Sequence, residues 1–379
     1  MFGNSLLRNI AGAAAGALVC LGSTGCILEA ANEGNADDNA DSFGSVEEAA
    51  SAPGIVAPAP GSTLKATRVT FKWVAGADEY WLNVGTRSGK SDLYQSASLG
   101  KATQVMVSSL PLDGNKLYVQ LKSRTGKKTK TASATYTAST RKGLAVIADF
   151  SDSKLESYSG VGVKSVADVK SLLQQMTAHW NWLSRGHEKI QWDIARVTLP
   201  QRLAPDAFPG SGEYRDAVLA LARAQVDVSN YDVNSDGDLD AVWIIGSDQG
   251  TAPSYMSGGT AHALGGSAFA DAQGDLSLQG RNYGNFNHEN GHCAGLPDLY
   301  GDYGTVGPLT IMSDSWALPP EDFTPYERMK LGWLTPTVIS KTTKHIALSS
   351  ANDTLTALRV PTTRAGEYFL IEYRKTPSN

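Results

Sequence analysis

The run His288-Glu289-Asn290-Gly291-His292 sets two imidazoles four positions apart, with a carboxylate beside the first. On an α-helix, positions i and i+4 share a face, so both rings can reach one cation. Glu289 then projects beside them, within reach of a water on that cation. The chain continues Cys293-Ala294-Gly295-Leu296-Pro297-Asp298. Gly295 can take a left-handed backbone and stop the helix, and the following turn returns Asp298 to the same ion. Two histidines and one carboxylate leave a tetrahedral zinc one open position, the requirement for catalysis that a closed structural site lacks. The chemistry implied is metal-assisted hydrolysis. Zinc lowers the pKa of its water from about 15.7 to about 7, and Glu289 takes the proton and later delivers it to the leaving group.

Alternatives remain open around this set. Glu327, on a later helix, competes with Asp298 as third ligand. Tyr300, Tyr303 and His262 are candidates for stabilising a developing oxyanion, and sequence does not choose among them. Cys293 adjoins the second histidine; with its neighbours committed to metal, it reads as a small packing residue and not as a nucleophile.

A second ion is suggested by Asp232-Val233-Asn234-Ser235-Asp236-Gly237-Asp238-Leu239-Asp240. Asp232, Asn234, Asp236 and Asp240 hold the oxygen-bearing positions of a calcium loop, with Gly237 at its sharp turn. Trp243 stands where a complete EF-hand would have Glu, and an apolar strand replaces the exit helix. A structural calcium is expected.

The elements that position these residues are mixed α/β from residue 141 onward. Residues 144–150 read as a buried strand. Val166, Val169, Leu172, Leu173, Met176, Trp180 and Leu183 recur at helical spacing. Ile190, Trp192 and Ile194 alternate as a strand, residues 213–226 as a second helix, and 241–246 as another buried strand. Near the end, short strands are expected at 345–349, 355–360 and 367–373.

Upstream, residues 55–140 alternate apolar and polar positions in short runs such as Val69-Thr70-Phe71-Lys72-Trp73 and Leu117-Tyr118-Val119-Gln120-Leu121. Pro60-Gly61, Ser88-Gly89 and Asp113-Gly114 punctuate them, the pattern of an all-β sandwich. The stretch Pro58-Ala59-Pro60-Gly61-Ser62-Thr63-Leu64, followed by Phe71-Lys72-Trp73, resembles fibronectin type III-like modules.

Charge marks the same divisions. Residues 27–54 carry seven acids and no base, 55–140 carry twelve bases against four acids, and the remainder twenty bases against twenty-seven acids. The acidic stretch has few large apolar groups and reads as a flexible tether. The basic β module would favour an anionic envelope polymer. Residues 1–26 read as an export signal: Arg8, an apolar run over 10–21 too short for the roughly 20 residues that cross a bilayer, then Ser23-Thr24-Gly25-Cys26. That end resembles a lipobox, in which Cys26 would be acylated and tether the exported chain to the cell envelope or outer membrane. The cysteines are Cys20, Cys26 and Cys293, so the mature chain would keep only Cys293 and no internal disulfide. No phosphate-binding glycine loop, nucleic-acid motif or mature membrane-spanning helix is evident.

The segment His288 to Tyr300 resembles the active site of the immune inhibitor A-like metallopeptidases, peptidase family M6, and the resemblance extends over residues 141–379. Supporting points in order are the strand at 143–150, the acidic loop at 231–240, Thr310-Ile311-Met312-Ser313, and residues 326–333. It implies an α/β, metzincin-like zinc peptidase domain after the sandwich. His288, His292 and Asp298 would bind zinc, Glu289 would be the catalytic base, and Met312 would lie in a Met-turn beneath the metal. The implied activity is endopeptidase cleavage of extracellular or envelope proteins. Asn290 occupies a position where the family usually has an apolar residue, so this turn of the helix is expected to pack differently. The sequence ends at Asn379 where family members commonly continue, so either a short variant or a domain lacking a supporting element is expected. The competing expectation is a surface adhesion or polyanion-binding lipoprotein with an inactive peptidase-like domain.

Overall fold

The computed structural model of the chain describes residues 54–157, 165–200, 212–233, 239–246, 254–256, 267–271, 279–300, 306–314, 321–342 and 345–375. The described chain is β-rich, with several sheets and few helices. Eight strands come first: β1 (Ile55–Ala57), β2 (Thr63–Leu64), β3 (Val69–Trp73), β4 (Glu79–Gly85), β5 (Tyr94–Gln95), β6 (Gln104–Val107), β7 (Lys116–Thr125) and β8 (Lys128–Ala138). They form two sheets, ordered β1-β3-β6 and β2-β8-β7-β4-β5. Alternation decides which side is buried. Phe71 and Trp73 of β3, Tyr80, Leu82 and Val84 of β4, and Leu117, Val119 and Leu121 of β7 enter one shared core. Each such side chain contributes roughly 1.5–3 kcal/mol on leaving water. The opposite face of β4 and β7 carries Trp81, with Lys122 Nζ 5.2 Å and the Arg124 guanidinium 5.6 Å from its ring.

After Ser139 and Thr140 the chain enters a second, mixed layer: β9 (Arg141–Phe150), α1 (Val166–Leu183), β10 (Ile190–Leu199), α2 (Gly212–Arg223), β11 (Val242–Gly246), β12 (Ser254–Met256), β13 (Ser267–Asp271) and α3 (Gln279–Cys293). The sheet order is β10-β9-β11-β13-β12, with β12 antiparallel to β13 and the other pairs parallel. Residues 143–150 of β9 are all buried, as a central parallel strand requires when both faces are covered. Leu144, Val146 and Ala148 pack with Val218, Leu219 and Ala222 of α2. Ala145 and Ile147 turn the other way, toward Val169, Leu172, Leu173 and Met176 of α1 and Phe286 of α3. Ser165 starts α1 by accepting the Asp168 amide at 3.1 Å. Thus α3 lies on the α1 side of the sheet, packed against α1, β12 and β13.

The last elements are α4 (Pro325–Lys330), β14 (Thr337–Val338), β15 (Leu358–Pro361) and β16 (Tyr368–Ile371), the three strands forming one small sheet. Trp180 of α1, Met312, Phe323 and Trp333 make a fourth core beneath them. Two sequence expectations shift here. Residues 345–349 alternate but form no strand, because β14 takes the place beside β15. Helix α2 stops at Arg223, short of 226. The β-sandwich meets the mixed layer through main-chain bonds: Leu112 N–H donates to His187 O at 2.6 Å, and Lys189 N–H to Leu112 O at 3.0 Å. Between them the buried Glu188 pairs with Arg141, whose Nε lies 2.5 Å from Oε1, and accepts from Trp333 Nε1 at 2.7 Å. Among the described residues no helix is long and apolar enough to cross a membrane.

Candidate metal centre

Helix α3 ends as its sequence suggests. Gly295 adopts φ 87°, and the reversal closes with two bonds, Gly295 N–H to His292 O and Leu296 N–H to Gly291 O, each 2.9 Å. That pair is a Schellman cap, which needs a left-handed residue at the turn. The released Leu296 carbonyl accepts from His292 Nδ1 at 2.8 Å, and the Ile311 carbonyl from His288 Nδ1 at 2.7 Å. A carbonyl can only accept, so both Nδ1 atoms carry the proton, and both Nε2 atoms present lone pairs when the rings are neutral.

Those lone pairs converge. His288 Nε2 and His292 Nε2 stand 3.1 Å apart, and Asp298 Oδ1 is 3.2 Å from each. Asp298 Oδ1 is buried and receives no hydrogen bond among the described residues. Three acceptors meeting at one point repel one another until a cation lies between them. A zinc ion with bonds of about 2.0–2.1 Å in tetrahedral geometry holds its donors about 3.3 Å apart, so this triangle fits zinc. The partners of the two Nδ1 atoms are also those that orient metal-binding histidines.

Glu289 lies in the same group, its ligand oxygen within 4.8 Å of the imidazole nitrogens. It is 6% exposed, and its Oε2 has no hydrogen-bond partner among the described residues. Burial pushes its carboxyl up to about 7; His288 opposes that rise and Asp298 adds to it. His292 is pushed down by burial and by His288. Burial also presses His288 downward, but Asp298 and Glu289 outweigh it and its net shift is upward. Tyr300 stacks on the His288 ring with centroids 6.0 Å apart. Burial and the Asp298 charge raise its phenol to about 12, so it stays a hydrogen-bond donor at neutral pH.

Met312 is fully buried beneath the helix, its amide nitrogen 3.2 Å from the Thr310 hydroxyl and its carbonyl accepting Leu299 N–H at 2.8 Å. The segment 310–313 therefore touches both the first imidazole and the returning loop. Glu327 is elsewhere: it accepts Thr324 N–H at 2.5 Å and the Thr324 hydroxyl at 2.6 Å in a capping box that starts α4. Its other oxygen accepts from the Thr310 hydroxyl. Asp298, not Glu327, meets the imidazoles. Cys293 is half-buried against the α1-side core. Of the calcium loop, Asp232 and Asp240 are described, Asp240 Oδ2 accepting Val233 N–H at 3.0 Å, whereas Asn234 and Asp236 lie outside the described residues. So do His262, Tyr303 and Cys26.

Sequence reasoning did not find the polar side chains behind the helix. Asn290 Oδ1 accepts the Trp243 indole N–H at 2.8 Å, and Asn290 Nδ2 donates to Asn287 Oδ1 at 3.0 Å. Asn287 Nδ2 reaches Met176 O at 3.1 Å and His179 Nδ1 at 2.9 Å. The signal was Asn290 itself, a polar residue where an apolar one was expected. A cavity of about 840 Å³ lies elsewhere, between α1 and β10, lined by residues including Leu173, Thr177, Ile190 and Trp192 and by none of the converging set.

No family model and no curated protein matches the sequence. Among solved structures, a chaperone–substrate complex is similar over 59% of this chain and 34% of its own, at 14% identity and TM-score 0.31. The chain thus spans about a third of that structure's length. Metalloproteinase-II from Bacteroides fragilis is similar over 70% of this chain and 81% of its own, at 12% identity and TM-score 0.29. Both likenesses are too distant to define fold or activity.

Proposed function

We propose that the chain is a zinc-dependent metalloendopeptidase of the immune inhibitor A-like, metzincin-like type. The observation that carries this reading is the triangle of His288 Nε2, His292 Nε2 and Asp298 Oδ1, at 3.1–3.2 Å, three acceptors facing one point when both rings are neutral. When bound there, zinc would supply Lewis acidity, acidifying a water and polarising a peptide carbonyl. The chain's own residues do the rest. Glu289, buried and lacking a partner at Oε2, is suited to take a proton from the attacking water and return it to the amine that leaves. Tyr300 is the described candidate to donate to the oxyanion, because its phenol keeps its proton. Strand β12 pairs on one side only among the described residues, and α3 packs against it. An extended peptide could add to that edge and pass the site.

The fibronectin III-like reading of 55–140, the acidic tether, acylation at Cys26 and export to the envelope belong to the same proposal. In it the β module spaces the catalytic layer from the membrane, and its basic face around Trp81 and Lys122 meets anionic polymer.

The test is hydrolysis of an unfolded general protein substrate by residues 55–379, beside Glu289→Ala, with zinc content measured on both. Cleavage by the wild type alone, with equal zinc in both proteins, supports the peptidase. If both proteins bind zinc and neither cuts, the adhesion reading replaces it; salt-sensitive binding of both proteins to envelope material would then be equal.

A further inference from the structure

We infer that Asn290, linked to Trp243 and Asn287, is a positioning residue that sets the rotation of α3 about its own axis and so aims both imidazoles. This rests on the metal-centre reading and adds to it a requirement that the ligand set alone does not reveal. Asn287 and Asn290 bracket His288 and Glu289 in sequence; on a helix Asn290 leaves from the side opposite His288 and His292, and Asn287 from the flank next to it. They cross the molecule as a one-directional chain of bonds. The Trp243 indole on β11 donates to Asn290, Asn290 to Asn287, and Asn287 to Met176 O and His179 Nδ1 on α1. Every amide oxygen is taken by a donor and every amide nitrogen finds an acceptor, so neither side chain can flip without loss.

The surroundings make the chain hold. Trp243 is 1% exposed, Asn290 2%, Asn287 0% and His179 9%. Packed apolar faces tolerate small rotations; buried hydrogen bonds do not, since each group turned away from its partner is left unsatisfied at about 1–3 kcal/mol. Metal binding needs such angular control, because ligand distances are tolerated only within about 0.2 Å. An apolar residue at 290 would fill the space and leave the Trp243 N–H without its acceptor. The polar substitution therefore serves the metal face from behind.

The test uses the full chain with Trp243→Phe, Asn290→Leu and the double variant. Zinc dissociation constants are measured by chelator competition, the visible spectrum is recorded with Co²⁺ in place of zinc, and the metal-free proteins are melted. Each single variant is expected to bind zinc about 10–100-fold more weakly with an altered cobalt spectrum. The double variant should be no weaker than the worse single one, because both remove one bond. Metal-free melting lowered by these changes, with zinc affinity and cobalt spectrum unchanged, would overturn the inference and leave the relay a packing feature. If Asn290→Leu does not fold, Trp243→Phe, which keeps an aromatic ring, decides by the same readings. A wild type that binds no zinc would sink the metal reading and this inference together.

Discussion

The sulfur of Met312 sits where a side chain at Gly291 would have to be, 2.6 Å from the position of a Cβ built on that glycine. The thioether thus lies flush against the helix at Gly291, and Leu296 Cδ1 closes the same space at 3.4 Å. Gly291→Ala is expected to displace Met312 and destabilise the protein by about 1–3 kcal/mol, as overpacked cores do. Zinc affinity should fall with it, because Ile311, whose carbonyl holds His288, precedes Met312. Chemical denaturation with and without zinc checks both effects; Gly291→Ala with wild-type stability would show that the segment yields freely.

Asp298 and Glu327 should separate cleanly. Asp298→Ala removes the carboxylate that stands 3.2 Å from both Nε2 atoms and is expected to weaken zinc binding by at least about tenfold. Glu327→Gln disturbs the capping box and the Thr310 contact, so it should cost about 1 kcal/mol of stability and leave one zinc bound per chain. Zinc titration beside thermal melting distinguishes them. A Glu327 variant that loses zinc while staying folded would reverse the assignment.

Acid sensitivity should have an identifiable component at the end of β9. The Arg196 guanidinium grips Glu156 at 2.8 and 2.6 Å and pulls its carboxyl from 4.5 to about 2. A depressed carboxyl stabilises the fold above its unfolded value, and that stability is lost as pH falls from about 5 toward 2. Glu156 is half exposed, so solvent limits the effect to about 0.5–1 kcal/mol. Arg196→Met should flatten the fall in stability between pH 5 and pH 3, measured by urea unfolding at each pH.

The acidic loop at 232–240 carries the calcium expectation. Asp240 Oδ2 accepts the Val233 amide, and calcium bound by the acidic run would stabilise the start of β11 through mass action. Adding EGTA is expected to lower the melting temperature of the zinc-loaded protein, and excess calcium to restore it. No change on either addition would remove calcium from the account.

Much of this architecture could be read from residue order alone, and the exceptions have physical causes. The alternating run Val69-Thr70-Phe71-Lys72-Trp73 became β3 with unchanged ends, because one buried face fixes strand register. The helical recurrence from Val166 to Leu183 became α1, its apolar stripe matching the sheet it covers. Alternation at 345–349 misled, since a strand needs a neighbour and pairing partners are not encoded locally. At the candidate centre, the imidazole spacing and the stop at Gly295 were legible. Glu327, left open as the alternative to Asp298, stands in Thr324-Pro325-Tyr326-Glu327, which spells the capping box that the structure shows. The Trp243–Asn290 bond joins residues 47 positions apart and leaves no pattern along the chain.

Both imidazoles are oriented by main-chain carbonyls, those of Leu296 and Ile311. A carbonyl belongs to whichever amino acid stands there, so replacing either side chain does not delete the bond. Inheritance can therefore vary those two positions freely, within the limits of packing, while the protonation of both rings is preserved. The vulnerability moves to the peptide path itself: a change that forbids the left-handed turn at Gly295 would withdraw one carbonyl without touching a histidine. Among descendants of this sequence, drift should be tolerated at 296 and 311 and resisted at 295.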